Sequence, residues 1–216
     1  MLSMLEEVVL LAVDQESGGL RSTRQFSTSY ALVGAVFFDL ALARRIDSDT
    51  EQIHVLDAGA TGITMLDRVL AHMKTRPHLT TVRQWIDEIF HQRADLEGEA
   101  LHSLIRQGIL RHEKTKRLWI IDVERFPLVD NRPQRDVRQR LAEAILTDTI
   151  PDSRDIMLVS IAEPCGLLGY VLSESQVAAR RARIDLLCNM ETISRKVAEA
   201  IRALDITVHQ GVPRMM

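Results

Sequence analysis

A single run of apolar residues constrains the fold of this chain more than any other feature. From Tyr30 to Ala43 the run carries one charge, Asp39, and hydroxyl residues at its start are typical of a helix N-terminus. A helix without a polar face must be surrounded by other helices. The run is also well short of the roughly 20 apolar residues needed to span a bilayer. Residues 27–45 are therefore predicted to form a buried central helix.

The composition favours helices in the rest of the chain as well. Of the 216 residues 46% are hydrophobic, yet only nine are aromatic: five Phe, two Trp and two Tyr. Leu- and Ala-rich cores with few aromatic residues favour helix-on-helix packing over a β-sandwich. No repeat, low-complexity tract or linker divides the chain. We therefore expect an all-α fold in a single domain over residues 1–216, ordered over about 2–205.

Local signals indicate where the other elements begin and end. Ser3 and Glu6 have the spacing of a capping box, and Gly108 can end a helix through a left-handed conformation. Residues 45–57 alternate weakly around a polar turn, which predicts a short ribbon. The remaining helices are predicted near residues 2–12, 63–73, 82–90, 96–105, 137–145, 153–162, 174–188 and 191–204.

Charge and cysteine content exclude several classes of protein. The net charge of −3 and the pI near 6.2 attract neither nucleic acid nor an anionic membrane over the whole surface. Cys165 and Cys188 lie far apart and lack the spacing of zinc ligands, so we expect no disulfide and no metal site. The acidic residues near the start are unlike a secretory signal. A cytoplasmic protein without cofactor is the simplest expectation.

No pattern of catalytic residues is readable, so the chain is not expected to be an enzyme. Gly59-Ala60-Thr61-Gly62 fits an RNA-clamping loop, but its acidic flanks favour a plain turn before a helix. Asp39 could act as a catalytic acid of raised pKa. The simpler interpretation is a carboxylate paired with Arg44, Arg45 or an arginine of another helix. Trp85 is expected in the core.

The segment after Gly108 combines cations with apolar side chains. Ile109-Leu110 and Leu118–Ile121 flank a polar stretch, a pattern that predicts a protruding β-hairpin with a charged tip. Such a projection could dock weakly on an anionic membrane or on a second subunit. Alternatively, Trp119 and Ile121 share a strand face that covers the helices. The candidate contact residues are Arg111, Lys114, Lys116, Arg117, Leu118, Trp119 and Ile120.

A helix followed by a basic hairpin is also the order found in winged-helix DNA-binding proteins. Glu97 and Glu99, at the start of the helix that would enter the groove, would repel phosphates. A DNA-binding regulator is therefore the weaker alternative, and no nucleic-acid partner is expected. A soluble scaffold that forms oligomers through the hairpin is a further alternative.

A set of short motifs in fixed order resembles the Golgi phosphoprotein 3 family over about residues 2–205. Eukaryotic members of that family recruit cargo enzymes at the Golgi, and relatives also occur in bacteria. The motifs that carry the resemblance are Leu5–Ala12, Gly34 with Asp39–Leu42, Arg45-Ile46, Thr61-Gly62, Leu66-Asp67, Val82 with Trp85-Ile86, Leu104–Leu110, Asp152–Arg154 with Leu158, and Gly166–Leu168 through Ala198.

The resemblance implies a helical domain with a protruding hairpin that binds phosphatidylinositol 4-phosphate without catalysis. It also implies a headgroup pocket built from one Trp and three Arg. At the positions that align with those four residues this chain has Arg24, Val33, Ala94 and Glu97. Arg21, Arg24 and Arg93 offer a substitute cluster for a phosphate, although Glu97 beside them opposes an anion.

The sequence thus predicts a peripheral membrane adaptor at the cytosolic face of a membrane. Its expected partners are an anionic phospholipid or phosphoinositide, a client protein, and a second copy of the chain if the hairpin forms oligomers. The hairpin would supply general attraction to the membrane, and the arginines would supply any preference for a headgroup.

Overall fold

In a computed structural model, residues 2–20, 27–49, 52–117 and 121–210 are described. Within these ranges the protein is mostly helical, with two small antiparallel sheets of two strands each. The helices are α1 (Met4–Ala12), α2 (Ser27–Leu42), α3 (Thr64–Thr75), α4 (Val82–Phe90), α5 (Arg93–Arg106), α6 (Arg132–Leu146), α7 (Ser153–Ala162), α8 (Glu174–Ala179), α9 (Arg181–Asn189) and α10 (Thr192–Gln210), and the strands are β1 (Ile46–Ser48), β2 (Ile53–Val55), β3 (Glu113–Arg117) and β4 (Ile121–Arg125).

Helix α2 is the buried centre of the fold, as its lack of a polar face predicts. Its residues from Tyr30 to Leu40 are almost all buried, and α1, α4, α5, α7 and α10 pack around it. Gly34 lets α10 approach, because a Cβ atom at this position would lie 3.1 Å from Cγ1 of Val197. The apolar side chains of these helices form one continuous buried cluster.

Helix α1 is fully buried and begins with the predicted capping box. The Glu6 amide donates to Oγ of Ser3 at 3.1 Å, and the Ser3 amide donates to Oε2 of Glu6 at 2.7 Å. These bonds satisfy two of the backbone donors that a helix start leaves free. The remaining amides of the first turn need other acceptors, and α2 supplies one.

Asp39 of α2 caps the start of α1, so its expected pairing with Arg44 or Arg45 is wrong. Its two carboxylate oxygens accept from the amides of Met4 at 2.8 Å and Leu5 at 3.3 Å. The carboxylate satisfies buried donors and meets the positive end of the helix dipole. Arg45 instead pairs with Asp57. Burial raises the pKa of Asp39 to about 6, although the amide bonds and the charge of Arg154 oppose this rise.

A buried ion network joins α1, α6 and α7, and the sequence analysis did not anticipate it. Arg140 of α6 donates to Oε1 of Glu7 at 2.6 Å and to Oδ1 of Asp155 at 2.5 Å. Arg154 of α7 contacts Glu7 as well, at 3.3 Å, and donates to the Leu2 carbonyl at 2.6 Å. Partners so far apart in sequence carry no local signal.

Helices α4 and α5 follow the predicted pattern closely. Thr81 and Gln84 form a capping box at the start of α4, and Trp85 is buried in the core. Gly108 has a φ of 71° just after α5, in the left-handed region that was expected to end this helix. The ribbon formed by β1 and β2 is confirmed too, and the Gly59–Gly62 segment is a turn before α3.

The last part of the chain differs from the predicted helices in two places. The expected helix over 174–188 is divided into α8 and α9 at Arg180, whose φ of −105° and ψ of 15° leave helical geometry. The guanidinium of Arg180 donates to the Leu146 carbonyl at 2.5 Å. Helix α10 continues to Gln210, beyond the expected end near 204. Cys165 and Cys188 are buried free thiols.

The hairpin is present, but its strands lie further along the chain than predicted. The polar stretch Glu113–Lys116 belongs to strand β3 rather than to the tip. The predicted first strand, Ile109-Leu110, is buried at the foot of the hairpin. The predicted second strand overlaps β4 only at Ile121, and Leu118, Trp119 and Ile120 fall between the strands, outside the described residues.

Candidate functional site

The candidate site is the hairpin, residues 111–125, together with the surface from which it emerges. The two strands pair in register with each other, with Glu113 opposite Arg125 and Arg117 opposite Ile121. Among the described elements they pack chiefly on one another rather than on the helices. The hairpin therefore projects from the helical body, as predicted.

The foot of the hairpin is fixed to the loop that follows α1. The Phe126 amide donates to the Gly18 carbonyl at 2.6 Å, and the Arg111 amide donates to the Pro127 carbonyl at 3.0 Å. Gly18 has a φ of 66°, and a Cβ atom there would lie 2.6 Å from the nitrogen of Pro127. Only glycine permits both this conformation and this close approach. The loop after α1 thus sets the direction in which the hairpin leaves the body.

Buried residues next to the foot also attach the hairpin to the helical body. Leu110 forms an isolated β-bridge with Leu128, and the Val129 amide donates to the Ile109 carbonyl at 2.9 Å. Both Ile109 and Leu110 are buried. These residues connect the hairpin to the core, which explains why the sequence pattern marked them as strand-like.

Oppositely charged residues face each other along most of the hairpin. The register places Glu113 opposite Arg125, Lys114 opposite Glu124, and Lys116 opposite Asp122. Cross-strand pairs of opposite charge stabilise an antiparallel ladder by roughly 0.2–1 kcal/mol each. Much of the positive charge predicted to face a partner therefore has an acid beside it in the ladder.

The two candidate cations nearest the body, Arg111 and Lys114, also lie close to acidic side chains. Nε of Arg111 lies 2.8 Å from Oε1 of Glu113, and Nζ of Lys114 lies 3.9 Å from Oε1 of Glu124. All four side chains are solvent-exposed to a large degree, so these pairs contribute little to stability. They do lower the net charge at the foot of the hairpin.

The charge balance is different at the far end of the hairpin. Arg117 stands opposite the apolar Ile121, and Leu118-Trp119-Ile120 follows it directly in sequence. Over residues 111–125 five basic and three acidic residues leave a formal excess of two positive charges. The register thus leaves a cation without an acid opposite it beside the most apolar part of the hairpin sequence.

The expected arginine cluster stays a prediction. Arg21 and Arg24 lie outside the described residues. Arg93, the first residue of α5, lies over the ring of Phe90 at 4.3 Å and donates to the Phe90 carbonyl at 3.1 Å. The Phe90 ring stacks on Tyr30 of α2 at 4.5 Å. Arg93 is therefore held against the body near the start of α5.

A groove of about 490 Å³ lies between α5 and the foot of the hairpin. Leu20 lines it, directly before the segment that contains Arg21 and Arg24. Ala94 and Glu97 line it as well; these are two positions where the sequence departs from the arginines of the resembled family. We call this cavity the hairpin groove; its lining is Leu20, Ala94, Glu97, Gly98, Leu101, His102, Ile105, His112, Glu124 and Phe126.

Glu97 gives the hairpin groove an acidic character. Its carboxylate is half-buried, and this burial raises its pKa. On the opposite wall His112 stacks on Phe126 with ring centroids 5.3 Å apart, and its Nε2 lies 3.7 Å from Oε1 of Glu124. Lysine and arginine are absent from the described lining. From the sequence, Glu97 was expected to repel phosphate groups and was a departure from the resembled family, whereas His102 and His112 were not predicted as site residues.

The described ranges contain neither a metal-binding cluster nor a membrane-spanning helix. No group of three or more His, Cys, Asp or Glu side chains there could hold a metal ion. No helix there has both the length and the apolar character needed to cross a membrane.

Comparison with known proteins identifies the family. A family model described as Golgi phosphoprotein 3 (GPP34) matches residues 4–204. The chain is 27% identical over 207 residues to the vacuolar protein sorting-associated protein 74 of Eremothecium gossypii. That alignment covers 80% of this chain and 62% of the relative, so the chain spans less than two thirds of the relative's length. Because the family model matches nearly the whole chain, the protein belongs to the Golgi phosphoprotein 3 family.

Proposed function

We propose that this protein is a non-catalytic peripheral membrane adaptor. It approaches the cytosolic face of a membrane with the end of its hairpin and holds a client protein on another part of its surface. The family description names the Golgi, and the fungal relative is named for vacuolar protein sorting. A role at a membrane, rather than a particular organelle, is what we extend to this chain.

The order of charges along the hairpin carries the proposal. Acids face the cations of the two strands near the body, whereas Arg117 stands opposite Ile121 and precedes Leu118-Trp119-Ile120. Cations attract an anionic leaflet, and a tryptophan favours the depth of the headgroups. A projection of this composition suits a membrane surface better than it suits the polar backbone of nucleic acid.

The expected membrane affinity of the hairpin alone is low. Two net positive charges near an anionic surface contribute about 1 kcal/mol each. Partial burial of Trp119 adds about 2 kcal/mol. The sum of about 4 kcal/mol corresponds to a dissociation constant near 1 mM. Stable attachment therefore needs a second contact, and such contacts multiply affinity through effective concentration.

Arg21, Arg24 and Arg93 are the candidates for that second contact. They would hold the phosphate of an anionic phospholipid or of a phosphoinositide such as phosphatidylinositol 4-phosphate. Guanidinium groups bind phosphate oxygens in pairs, which gives geometric preference as well as energy. A client protein or a second copy of the chain attached to the same membrane would serve equally well.

Flotation with liposomes tests the hairpin. Vesicles contain phosphatidylinositol 4-phosphate, another anionic lipid, or only zwitterionic lipid. Trp119→Ala combined with Lys116→Glu should reduce binding to both anionic vesicles by about tenfold or more. A matched control combines Leu186→Ala on α9 with Lys74→Glu on α3, both exposed positions outside the hairpin. If the hairpin variant binds as well as the control, the proposal fails.

The same preparation tests whether the hairpin joins subunits instead. Replacement of Leu118, Trp119 and Ile120 by serine should leave the mass in solution unchanged if these residues contact a membrane. A fall in mass without loss of vesicle binding would show that the hairpin is an oligomer contact. Retention on duplex DNA at low salt would support the winged-helix alternative.

A further inference from the structure

Among the described residues, the hairpin groove contains a carboxylate without a counter-ion. Glu97 is half-buried on the inner face of α5, and within the described part of the chain it has no hydrogen bond or ion pair to another side chain. Other buried or partly buried glutamates of this chain have partners: the fully buried Glu7 contacts Arg140, and the partly buried Glu163 contacts Arg202. Burial of an unpaired carboxylate costs free energy. A bound cation would recover that cost.

The remaining lining determines which cation fits. A second carboxylate, Glu124, lies across the groove from α5, while Leu101, Ile105 and Phe126 supply apolar walls. Apolar walls favour an organic cation over a hydrated metal ion. The described lining offers no group of ligands suited to a metal ion either.

Two histidines of the groove, His102 and His112, can donate hydrogen bonds to an oxygen that carries a partial negative charge. His112 is stacked on Phe126, and His102 lies on α5 one turn beyond Glu97. An imidazole N–H can donate a hydrogen bond to such an oxygen. A phosphodiester oxygen, with a single negative charge shared by two atoms, is a suitable acceptor. Within the described lining, a phosphomonoester dianion would instead meet two carboxylates and no lysine or arginine.

We propose that the hairpin groove binds the ammonium group of a phosphatidylethanolamine headgroup, with Glu97 as its counter-ion. This inference rests on the proposed membrane role, since the groove lies at the foot of the hairpin. The primary ammonium has three donors for the carboxylate, whereas the trimethylated ammonium of phosphatidylcholine has none. The groove thus favours an ethanolamine headgroup over both a choline headgroup and an inositol phosphate.

Vesicles of defined composition test this preference. All contain the same fraction of phosphatidylglycerol, and the remainder is phosphatidylcholine alone or an equal mixture of phosphatidylcholine and phosphatidylethanolamine. The wild-type protein should bind the mixture about three- to fivefold more tightly, the range expected for one partly exposed charge pair. Glu97→Gln should abolish this preference, whereas Asp95→Asn, the same charge change at an exposed position of α5, should keep it.

The Glu97→Gln variant also separates headgroup binding from lipid packing. Phosphatidylethanolamine loosens headgroup packing, which would help any apolar hairpin to insert. A preference that is equal in the wild type and in Glu97→Gln would therefore overturn the inference. If both Glu97→Gln and Asp95→Asn lose the preference, the preference is a general effect of charge. This result would overturn the inference as well.

A soluble headgroup distinguishes failure of the groove from failure of the membrane role. Glycerophosphoethanolamine titrated into the protein should shift the NMR resonances of His112 in the wild type but not in Glu97→Gln. If this occurs while no vesicle is bound, the groove assignment stands and the membrane role fails. If vesicles are bound through the hairpin but the resonances do not move, the membrane role stands and the groove assignment fails.

Discussion

At the scale of single residues, Asp39 shows how a side chain can be located from sequence while its partner cannot. The apolar run around it predicts that Asp39 is buried, and it is. Arginines were the expected partners of Asp39, because a buried carboxylate usually pairs with a cation. The actual partners are the amides of Met4 and Leu5, more than 30 residues away. Backbone donors are present at every helix start and therefore leave no mark in the sequence.

The raised pKa of Asp39 gives a testable pH dependence. The pKa rises from 3.8 to about 6 on folding, so between these values the folded protein binds a proton that the unfolded chain has released. The contribution of Asp39 to stability is therefore present at low pH and falls as the pH rises from about 4 to 6. Asp39→Asn is neutral throughout and lacks this change. Its free energy of unfolding relative to wild type should rise by about 1–3 kcal/mol between pH 4 and pH 7.5.

Urea unfolding at several pH values measures this difference. Taking the difference from wild type cancels the titration of groups that do not interact with Asp39, whereas the charges of Glu7 and Arg154 act on Asp39 and are part of the measured difference. Asp39→Ala, which leaves both amides without an acceptor, should be destabilised by about 1–3 kcal/mol relative to Asp39→Asn at every pH. If the relative stability of Asp39→Asn fell with rising pH, the carboxylate would be the preferred form in the folded protein.

Gly18 is the second residue whose role depends on a distant segment. Its φ of 66° and its contact with Pro127 both exclude a side chain. Gly18→Ala should lower the free energy of unfolding by about 1–3 kcal/mol and should loosen the foot of the hairpin. Chemical unfolding measures the first effect, and faster amide exchange at Phe126 and Arg111 reports the second.

Gly98 offers a matched control for that substitution. It lies within α5, and a Cβ atom there would meet nothing within 4 Å. Gly98→Ala should therefore raise stability by roughly 0.5–1 kcal/mol, as expected in a helix interior. Equal effects of the two substitutions would mean that the Gly18–Pro127 contact does not fix the hairpin.

At the scale of elements, local signals predict helices well and the hairpin register poorly. The capping boxes at Ser3 and Thr81 and the left-handed Gly108 mark the ends of helices. The residues that form each of these signals lie within a few positions of one another, so each signal is readable from the sequence. The charged stretch Glu113–Lys116 resembles a turn when read alone. It forms strand β3, and the register places Glu113, Lys114 and Lys116 opposite residues of opposite charge in β4. Such pairing is visible only once the register is known.

The candidate site, too, could be predicted from the sequence only in part. The sequence predicts that a hairpin follows the helix ended by Gly108, because this follows from the order of the elements. It does not reveal that Glu97 and His112 share one groove, since they lie on different elements. The resemblance gave Glu97 only as a missing arginine. Its place in one groove with His112 follows from the position of α5 beside the foot of the hairpin.

At the scale of the whole molecule, Arg140 connects helices that are remote in sequence. It contacts Glu7 of α1 and Asp155 of α7 from its place on α6. Arg140→Leu would leave buried carboxylates short of a counter-ion, and should cost about 2–4 kcal/mol in the free energy of unfolding. Arg68→Leu, which removes an exposed pair with Glu99, should cost about 1 kcal/mol or less. Urea unfolding measures both values. If the two variants lost similar amounts of unfolding free energy, the buried network would contribute no more to stability than an exposed ion pair.

The distribution of charge over the whole chain predicts how membrane binding depends on salt. The net charge is −3, and the hairpin carries a positive excess of two, so the rest of the chain has a net charge of −5. An anionic membrane therefore repels the body and attracts the hairpin, which orients the protein. Raising the salt concentration from about 0.05 to 0.5 M shortens the screening length from about 14 to 4 Å. Because two net charges contribute about 2 kcal/mol, binding should weaken by about tenfold.

Flotation over this salt range checks the prediction, with Arg117→Gln as the informative variant. Arg117 stands opposite Ile121 rather than an acid, so its removal should lower both the affinity at low salt and the steepness of the salt dependence. Lys114→Gln removes a cation that has Glu124 beside it, and should change both much less. Equal effects of the two variants would show that the membrane responds to the total charge of the hairpin. The order of charges along its strands would then have no influence on how the protein meets the membrane.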